Sequence, residues 1–312
     1  MGRVIQLYHS DKYFADIGQH VMPIRKFGLV RRAIEETGIR VRIDEPERVT
    51  DEDLLRVHSP EYLKAMETGL PLELAQSQKF PWSPQLAEAV RWTNGGCIAT
   101  IKAALRDGVA GNLASGFHHA HAKRGEGYCT YNGLVVAMER ARAEGLIKRA
   151  LVIDMDLHYG NGTAFLLETR PDFYAVSIYG NWYDNNKAYR DVTYKVTPNT
   201  HNSRSVPVAN GSDGDTYLKI LDSCLEPAIA WARPDVILYQ AGADPLGEDP
   251  YSPLPLTHAD LRERDLRVFQ AAKTRGIPIM WVLAGGYTPD VSRVVAVHVN
   301  TFHAAMEVFG DS

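Results

Sequence analysis

Along the chain, short runs of consecutive apolar residues alternate with longer segments whose apolar positions recur every three or four residues. The clearest runs, rich in Val, Ile and Leu, are Ala150 to Asp154, Phe173 to Ile178, Asp235 to Tyr239 and Ile277 to Leu283. Apolar residues on successive positions predict strands covered on both faces. Between the runs, helical periodicity marks Tyr131 to Glu144, Asp215 to Trp231, Thr257 to Arg275 and Asp290 to Phe309. Thr257 followed by Asp260 approximates a capping box, and Gly145 and Gly276 stand where helices should end. Strand and helix in repeated order predict an α/β fold, a parallel sheet between two helix layers. Ligands of such sheets bind beyond the carboxyl ends of the strands, so polar residues directly after an apolar run are the first candidates for function.

Four runs end this way. One leads into Gly116-Phe117-His118-His119, a second into Asp154-Met155-Asp156-Leu157-His158, a third into Gly242-Ala243-Asp244 and a fourth into Gly285-Gly286-Tyr287. If these strands are parallel, His118, His119, Asp154, Asp156, His158, Asp244 and Tyr287 meet on one rim. In an extended chain Asp154, Asp156 and His158 would share a face. Neighbouring carboxylates repel and resist desolvation unless a cation lies between them, and an imidazole beside them suits zinc. Asp244 is the candidate third ligand, which leaves a position for water. The alternative is a solvated turn, for which Gly160-Asn161-Gly162 supplies the residues. The His118-His119 pair has its own alternatives, one ligand plus one surface residue or, beside a metal, a dyad of general bases. Tyr287 alone reads equally as an aromatic packed at a glycine turn.

Other motifs are weaker. Cys129 reads as a small buried thiol rather than a nucleophile. Gly125-Glu126-Gly127 is no dinucleotide fingerprint, since position 130 is Thr. The chain has neither a HExxH motif nor a P-loop.

Composition narrows the classes. The 312 residues are 45% hydrophobic and 23% charged, the make-up of a soluble globular protein, and 34 basic against 38 acidic residues leave a net charge of −4. That sign and size argue against a nucleic-acid or anionic-lipid partner. Apolar stretches such as Ile277 to Ala284 are far shorter than the roughly 20 residues of a membrane span. Met1-Gly2-Arg3-Val4-Ile5-Gln6 lacks the build of a signal peptide, and three cysteines (Cys97, Cys129, Cys224) without a CxxC suit a reducing, cytoplasmic setting. With no repeat or linker, a single domain over residues 1–312 is expected.

The ordered motifs carry a family resemblance. Gly116-Phe117-His118-His119-Ala120, Asp154 through Gly162, Ala243 through Pro250 and Gly285-Gly286-Tyr287 are similar to the histone deacetylase superfamily of zinc-dependent deacylases. Leu54 through Tyr62 looks like its early helix-and-loop signature, and Gly125 through Cys129 like its glycine-flanked aromatic. The compact length, Phe117 and Asn161 look most similar to class IV deacetylases and related bacterial enzymes. The resemblance implies the arginase/deacetylase fold, a central parallel sheet of about eight strands flanked by helices on both faces.

It also implies roles. Zinc ligands fall on Asp156, His158 and Asp244, and the dyad on His118 and His119, oriented by Asp154 and Asn161. A neutral Asn161 cannot raise the basicity of His119 as a carboxylate would, so the two histidines should differ in pKa, with His119 the principal general base and acid. Tyr287 matches the transition-state hydrogen-bond donor. Phe117, Gly127 and Tyr128 match the acyl-lysine tunnel, and a structural potassium ion would lie beside Asp154, Asp156, His158 and Ser177. Ala284 and Ser115 depart from glycines common in the family, which bears on acyl-chain preference. The implied substrate is an acyl-lysine protein or peptide. An acylated small amine such as an acetylated polyamine is the alternative, its free ammonium meeting Asp16, Glu248 or Asp249 at the tunnel mouth. A catalytically silent binding protein would lack some of these residues, and a two-manganese ureohydrolase would need further bridging carboxylates.

Overall fold

The four apolar runs are neighbouring strands at the middle of one sheet. The computed structural model describes residues 4–180 and 201–310; of the N-terminal segment Met1 to Gln6, Met1 to Arg3 lie outside them. Among the described residues, eight strands, β1 (Gln6–Tyr8), β2 (Arg42–Asp44), β3 (Val109–Ser115), β4 (Ala150–Asp154), β5 (Phe173–Gly180), β6 (Ser203–Val208), β7 (Val236–Ala241) and β8 (Ile279–Leu283), form a sheet in the order β2-β1-β3-β8-β7-β4-β5-β6. Every pairing is parallel. The candidate residues therefore follow β3, β8, β7 and β4, four adjacent strands whose carboxyl ends share one edge.

Strand alternation distributes the apolar residues to two cores. Leu151, Ile153, Ile237, Tyr239, Trp281 and Leu283 pack into one, covered by helices Lys26–Glu36, Gly214–Ala232, His258–Thr274 and Val291–Phe309. Ala150, Val152, Val236, Leu238, Met280 and Val282 pack into the other, under helices Pro84–Asp107 and Gly133–Ala143. This arrangement is why these strands read as continuous apolar runs. Eight parallel strands between two helix layers are the architecture that the resemblance implies.

Helix boundaries follow their caps. The side chain of Thr257 accepts from Asp260 N–H and that of Asp260 accepts in return, completing the capping box. Gly145 and Gly276 adopt φ of 72° and 64°. Their N–H groups donate to the carbonyls of Arg142 and Lys273, and the following residues, Leu146 and Ile277, donate to Ala141 and Ala272. Both ends are Schellman motifs. Because Ile277 closes the helix, β8 begins at Ile279 rather than at Ile277. β7 begins at Val236, and Asp235 just before it accepts from the N–H groups of Lys148 and Arg149.

Candidate active site

Beyond Asp154 the chain stops being extended. Asp156 N–H donates to Asp154 Oδ1 at 3.1 Å and His158 N–H donates to Asp156 Oδ1 at 2.9 Å, two successive Asx-type turns. The expectation of a shared strand face is corrected here: the three residues converge because short carboxylates bind the backbone two residues on. The turn is nevertheless buried rather than solvated.

His158 Nδ1 lies 3.0 Å from Asp156 Oδ1 and 2.9 Å from Asp244 Oδ2. One donor atom from each of the three residues falls within 4.8 Å of the others. Donors bonded to one tetrahedral ion at about 2.0–2.2 Å lie roughly 3.3–3.6 Å apart, so this cluster has the size of a single metal's coordination sphere. Backbone groups of the loops after β4 and β8 hold it: Leu157 N–H donates to Asp244 Oδ1 at 3.0 Å and Gly285 N–H to Asp156 Oδ2 at 2.7 Å. Burial and then the charge of Asp156 push the Asp244 carboxyl above its ordinary range. Burial also opposes charge on Asp156, but His118 and His158 outweigh it and hold that carboxyl well below its range. His158, despite burial, is raised to about 10 by Asp156 and Asp244. Two oxygens and a nitrogen fit a borderline divalent metal such as zinc.

The histidine pair sits against this cluster. His118 Nδ1 is 2.7 Å from Asp154 Oδ2 and His119 Nδ1 is 2.6 Å from Asn161 Oδ1, with the two ring centroids 4.0 Å apart. Both rings are buried, so neither histidine is a surface residue. Burial works against protonation of His118, yet Asp154 and Asp156 hold its pKa above the ordinary value. For His119, burial and the neighbouring His118 and His158 act together and hold it well below.

Tyr287 N–H donates to Asp249 Oδ2 at 2.7 Å, and its half-buried ring stands edge-on to His158 with centroids 6.1 Å apart. The Tyr128 ring is 6.3 Å from that of Tyr287. Phe117 and Tyr128 both take left-handed backbone, at φ of 60° and 64°, a conformation costly for bulky residues and common where a site imposes it. Ser115 assists the first by accepting from Phe117 N–H at 3.1 Å. Between Phe117, Tyr128, Phe80 and Met22 lies a cavity of about 20 Å³. An open cleft of about 630 Å³ reaches Tyr287 past Tyr251, His20 and Asp16. Gly127 packs on His119 so closely that a Cβ would lie 2.5 Å from its ring. Asp154 and Ser177 are register partners on β4 and β5, and Ser177 Oγ accepts from Gly160 N–H at 3.2 Å. Cys129 is buried, and burial pushes its thiol pKa up, away from nucleophilic use.

Of the three mouth carboxylates, Asp16 and Glu248 are exposed, and Asp16 alone borders the cleft. Glu248 pairs with Arg293, and Asp249 is buried, accepting from the N–H groups of Tyr251 and Tyr287.

Two residues that no sequence motif marks, Lys26 and Arg264, and two that the motifs contain in other roles, Asp249 and Glu126, complete the surroundings. Lys26, fully buried, donates from Nζ to Ala284 O, and burial lowers its pKa to about 8 against the pull of Asp244, Asp156 and Asp249. Arg264, also fully buried, pairs with Asp265 at 2.8 Å and donates to the carbonyls of Gly242 and Met155, bracing the loops that carry Asp244 and Asp156. Asp249 holds the Tyr287 backbone, and Glu126 holds Asn161, whose Nδ2 donates to Glu126 Oε1 at 2.7 Å. Asp249 had entered only as a carboxylate of the tunnel mouth, and Glu126 only as part of the glycine-flanked aromatic motif and a rejected dinucleotide loop.

Residues 20–302 match the histone deacetylase domain. The chain is 30% identical over 308 residues to histone deacetylase 2 of Arabidopsis thaliana, covering 95% of this chain and 78% of that protein. Its fold superposes on the crystal structure of the HDA15 HD domain with a TM-score of 0.81 at 20% identity, covering 99% of this chain and 91% of that one. Acetylpolyamine aminohydrolase from Burkholderia pseudomallei gives a TM-score of 0.78 at 17% identity, covering 97% and 99%. The chain belongs to the histone deacetylase family, whose members are hydrolases acting on amides. Among the described residues, no helix is long and apolar enough to cross a membrane.

Proposed function

We propose that this protein is a cytoplasmic, zinc-dependent deacylase that removes acetyl or longer acyl groups from lysine side chains of proteins or peptides. The observation that carries the reading is the Asp156–His158–Asp244 donor cluster set directly against two buried histidines with opposite electrostatic environments. Asp156, His158 and Asp244 would hold zinc, which when bound would supply Lewis acidity toward the acyl group and water. His119, kept neutral by its surroundings, takes the proton from the attacking water and returns it to the leaving amine. His118, whose pKa Asp154 and Asp156 raise, supports the developing negative charge, and the Tyr287 hydroxyl donates a hydrogen bond to the oxyanion. Phe117, Gly127 and Tyr128 wall the acyl-lysine tunnel. A structural potassium ion beside Asp154 and Ser177 would stiffen the β4–β5 ends.

The second reading, hydrolysis of an acetylated polyamine, draws support from Asp16, an exposed carboxylate on the cleft that reaches Tyr287. A panel of acyl-lysine peptides of increasing chain length, run beside acetylated polyamines, separates the two by kcat/KM. His119→Ala and Tyr287→Phe should each lower kcat by about 100-fold or more with metal retained. Absence of acid release from every probe, or near wild-type turnover in either variant, would overturn the reading.

A further inference from the structure

His119 is held by an amide, and an amide has two unlike ends of nearly equal size. With Oδ1 toward the ring, Asn161 can only accept, so the imidazole must carry its proton on Nδ1 and its lone pair on Nε2. Turned by half a revolution, Nδ2 would face the ring and force the opposite tautomer. Something must decide between the two, and the neighbour on the far side of the amide does so. Asn161 Nδ2 lies 2.7 Å from Glu126 Oε1. An ionised carboxylate accepts and never donates, so it pairs with Nδ2 alone.

Glu126 is itself fixed and charged. Its side chain is buried, its other oxygen is 2.7 Å from Arg124 Nη2 and 3.3 Å from His121 Nε2, and a turn locks its backbone: Glu126 N–H donates to Cys129 O at 3.0 Å and Cys129 N–H returns the bond at 2.8 Å. Burial favours its neutral form, but His121, Asn161 and Arg124 together hold the carboxyl below its ordinary range. A directed chain results, from Arg124 through Glu126 and Asn161 to His119.

We propose that Glu126 is a positioning residue: by accepting from Asn161 Nδ2 it fixes which end of the amide meets His119, and so keeps the proton of neutral His119 on Nδ1 and its lone pair on Nε2. The inference rests on the reading of His119 as the proton acceptor.

Zinc-loaded protein with ¹⁵N-labelled histidine should show the Nδ1–H tautomer of His119, and Glu126→Ala should shift it toward Nε2–H. In the same variant kcat should fall about 10- to 100-fold while KM and metal content hold. N161D alone sets two carboxylates against each other and should lose activity. The exchange E126Q/N161D removes that repulsion, keeps an acceptor oxygen toward His119 with an amide behind it facing Arg124, and should recover at least about tenfold over N161D without reaching wild type, whose amide at position 161 adds no buried charge. A packing role for Glu126 predicts no such recovery. An unchanged tautomer in Glu126→Ala, or a double variant no better than N161D, overturns the inference. If the wild type hydrolyses no acyl probe, the functional reading fails instead, and the tautomer comparison still decides the role of Glu126.

Discussion

Gly285 occupies a place that no other residue can share. Its N–H donates to Asp156 Oδ2 at 2.7 Å, and a Cβ added to it would lie 1.9 Å from Asp244 Oδ2 and 2.4 Å from Asp244 Cγ. Real Cβ contacts stay beyond 3.0 Å, so in Gly285→Ala the methyl and the carboxylate must separate by about 1 Å more. Asp244 cannot swing aside without cost, being fully buried, with Oδ1 accepting from Leu157 N–H and Oδ2 set 2.9 Å from His158 Nδ1. Withdrawal of Gly285 instead takes its N–H from Asp156. Either way one ligand moves by about 1 Å where a metal site tolerates about 0.2 Å, and misplacement of that order costs about 100-fold in rate. The expected result is substoichiometric zinc after dialysis, read by elemental analysis, and kcat lowered about 100-fold even in excess zinc. Gly28→Ala serves as the control: Gly28 lies inside the helix Lys26–Glu36 with open space around its α-carbon, so alanine there should add about 0.5–1 kcal/mol of stability and leave zinc bound. One equivalent of zinc in Gly285→Ala, with turnover within about threefold of wild type, would refute the argument that this contact sets the ligand geometry.

Acid should weaken the fold through His58, which is buried with Nδ1 3.0 Å from His121 O and Nε2 accepting from Asn132 N–H, and whose pKa burial lowers to about 3. The unfolded chain binds a proton there below about pH 6.5 and the folded chain does not. Stability from this group is therefore complete above about pH 6.5 and falls by about 1.4 kcal/mol per unit toward pH 3; urea unfolding at pH 7 and pH 5 should show a steeper loss in wild type than in His58→Gln, and equal slopes would count against it. Arg264→Met strands the buried Asp265 carboxylate and should cost about 3–5 kcal/mol in urea unfolding while weakening zinc affinity through the Gly242 and Met155 carbonyls; an unchanged midpoint would contradict it. Chelation leaves Asp156 and Asp244 buried side by side and should lower the Tm, with recovery on adding Zn²⁺; a Tm indifferent to both steps would argue against a metal at this cluster.

What the sequence disclosed depended on whether a residue's partners were local. Strands β4, β5, β7 and β8 are buried on both faces and read directly as apolar runs, whereas β1 and β2 have three residues each and β6 alternates polar residues, so neither length nor composition marks them. The strand-end rule gathered His118, His119, Asp156, His158 and Asp244 correctly onto one edge, although the local geometry invoked for Asp156 and His158 was extended chain and the actual device is a pair of turns. Arg264 and Lys26 lie in helices where a charged residue ordinarily marks the solvent face. Their partners are Asp265, the Gly242 and Met155 carbonyls, and Ala284 O, and nothing in helical periodicity announces a cation pointed inward at distant loops.

The difference between the two histidines illustrates the same point in charge rather than packing. His118 meets a carboxylate directly, whereas His119 meets an amide with the carboxylate of Glu126 one hydrogen bond further out. A carboxylate in place of Asn161 would put a fourth buried acid beside Asp154, Asp156 and Asp244, and would stabilise a proton on the residue that has to accept one. The amide avoids both costs. It moves the negative charge to Glu126, where the exposed guanidinium of Arg124 balances it at 2.7 Å, and passes on only the direction of a hydrogen bond. Burial and the neighbouring His118 and His158 lower the pKa of His119, while Asp154 and Asp156 raise that of His118 against burial; exchanging the groups at positions 126 and 161 tests what the amide adds to that difference.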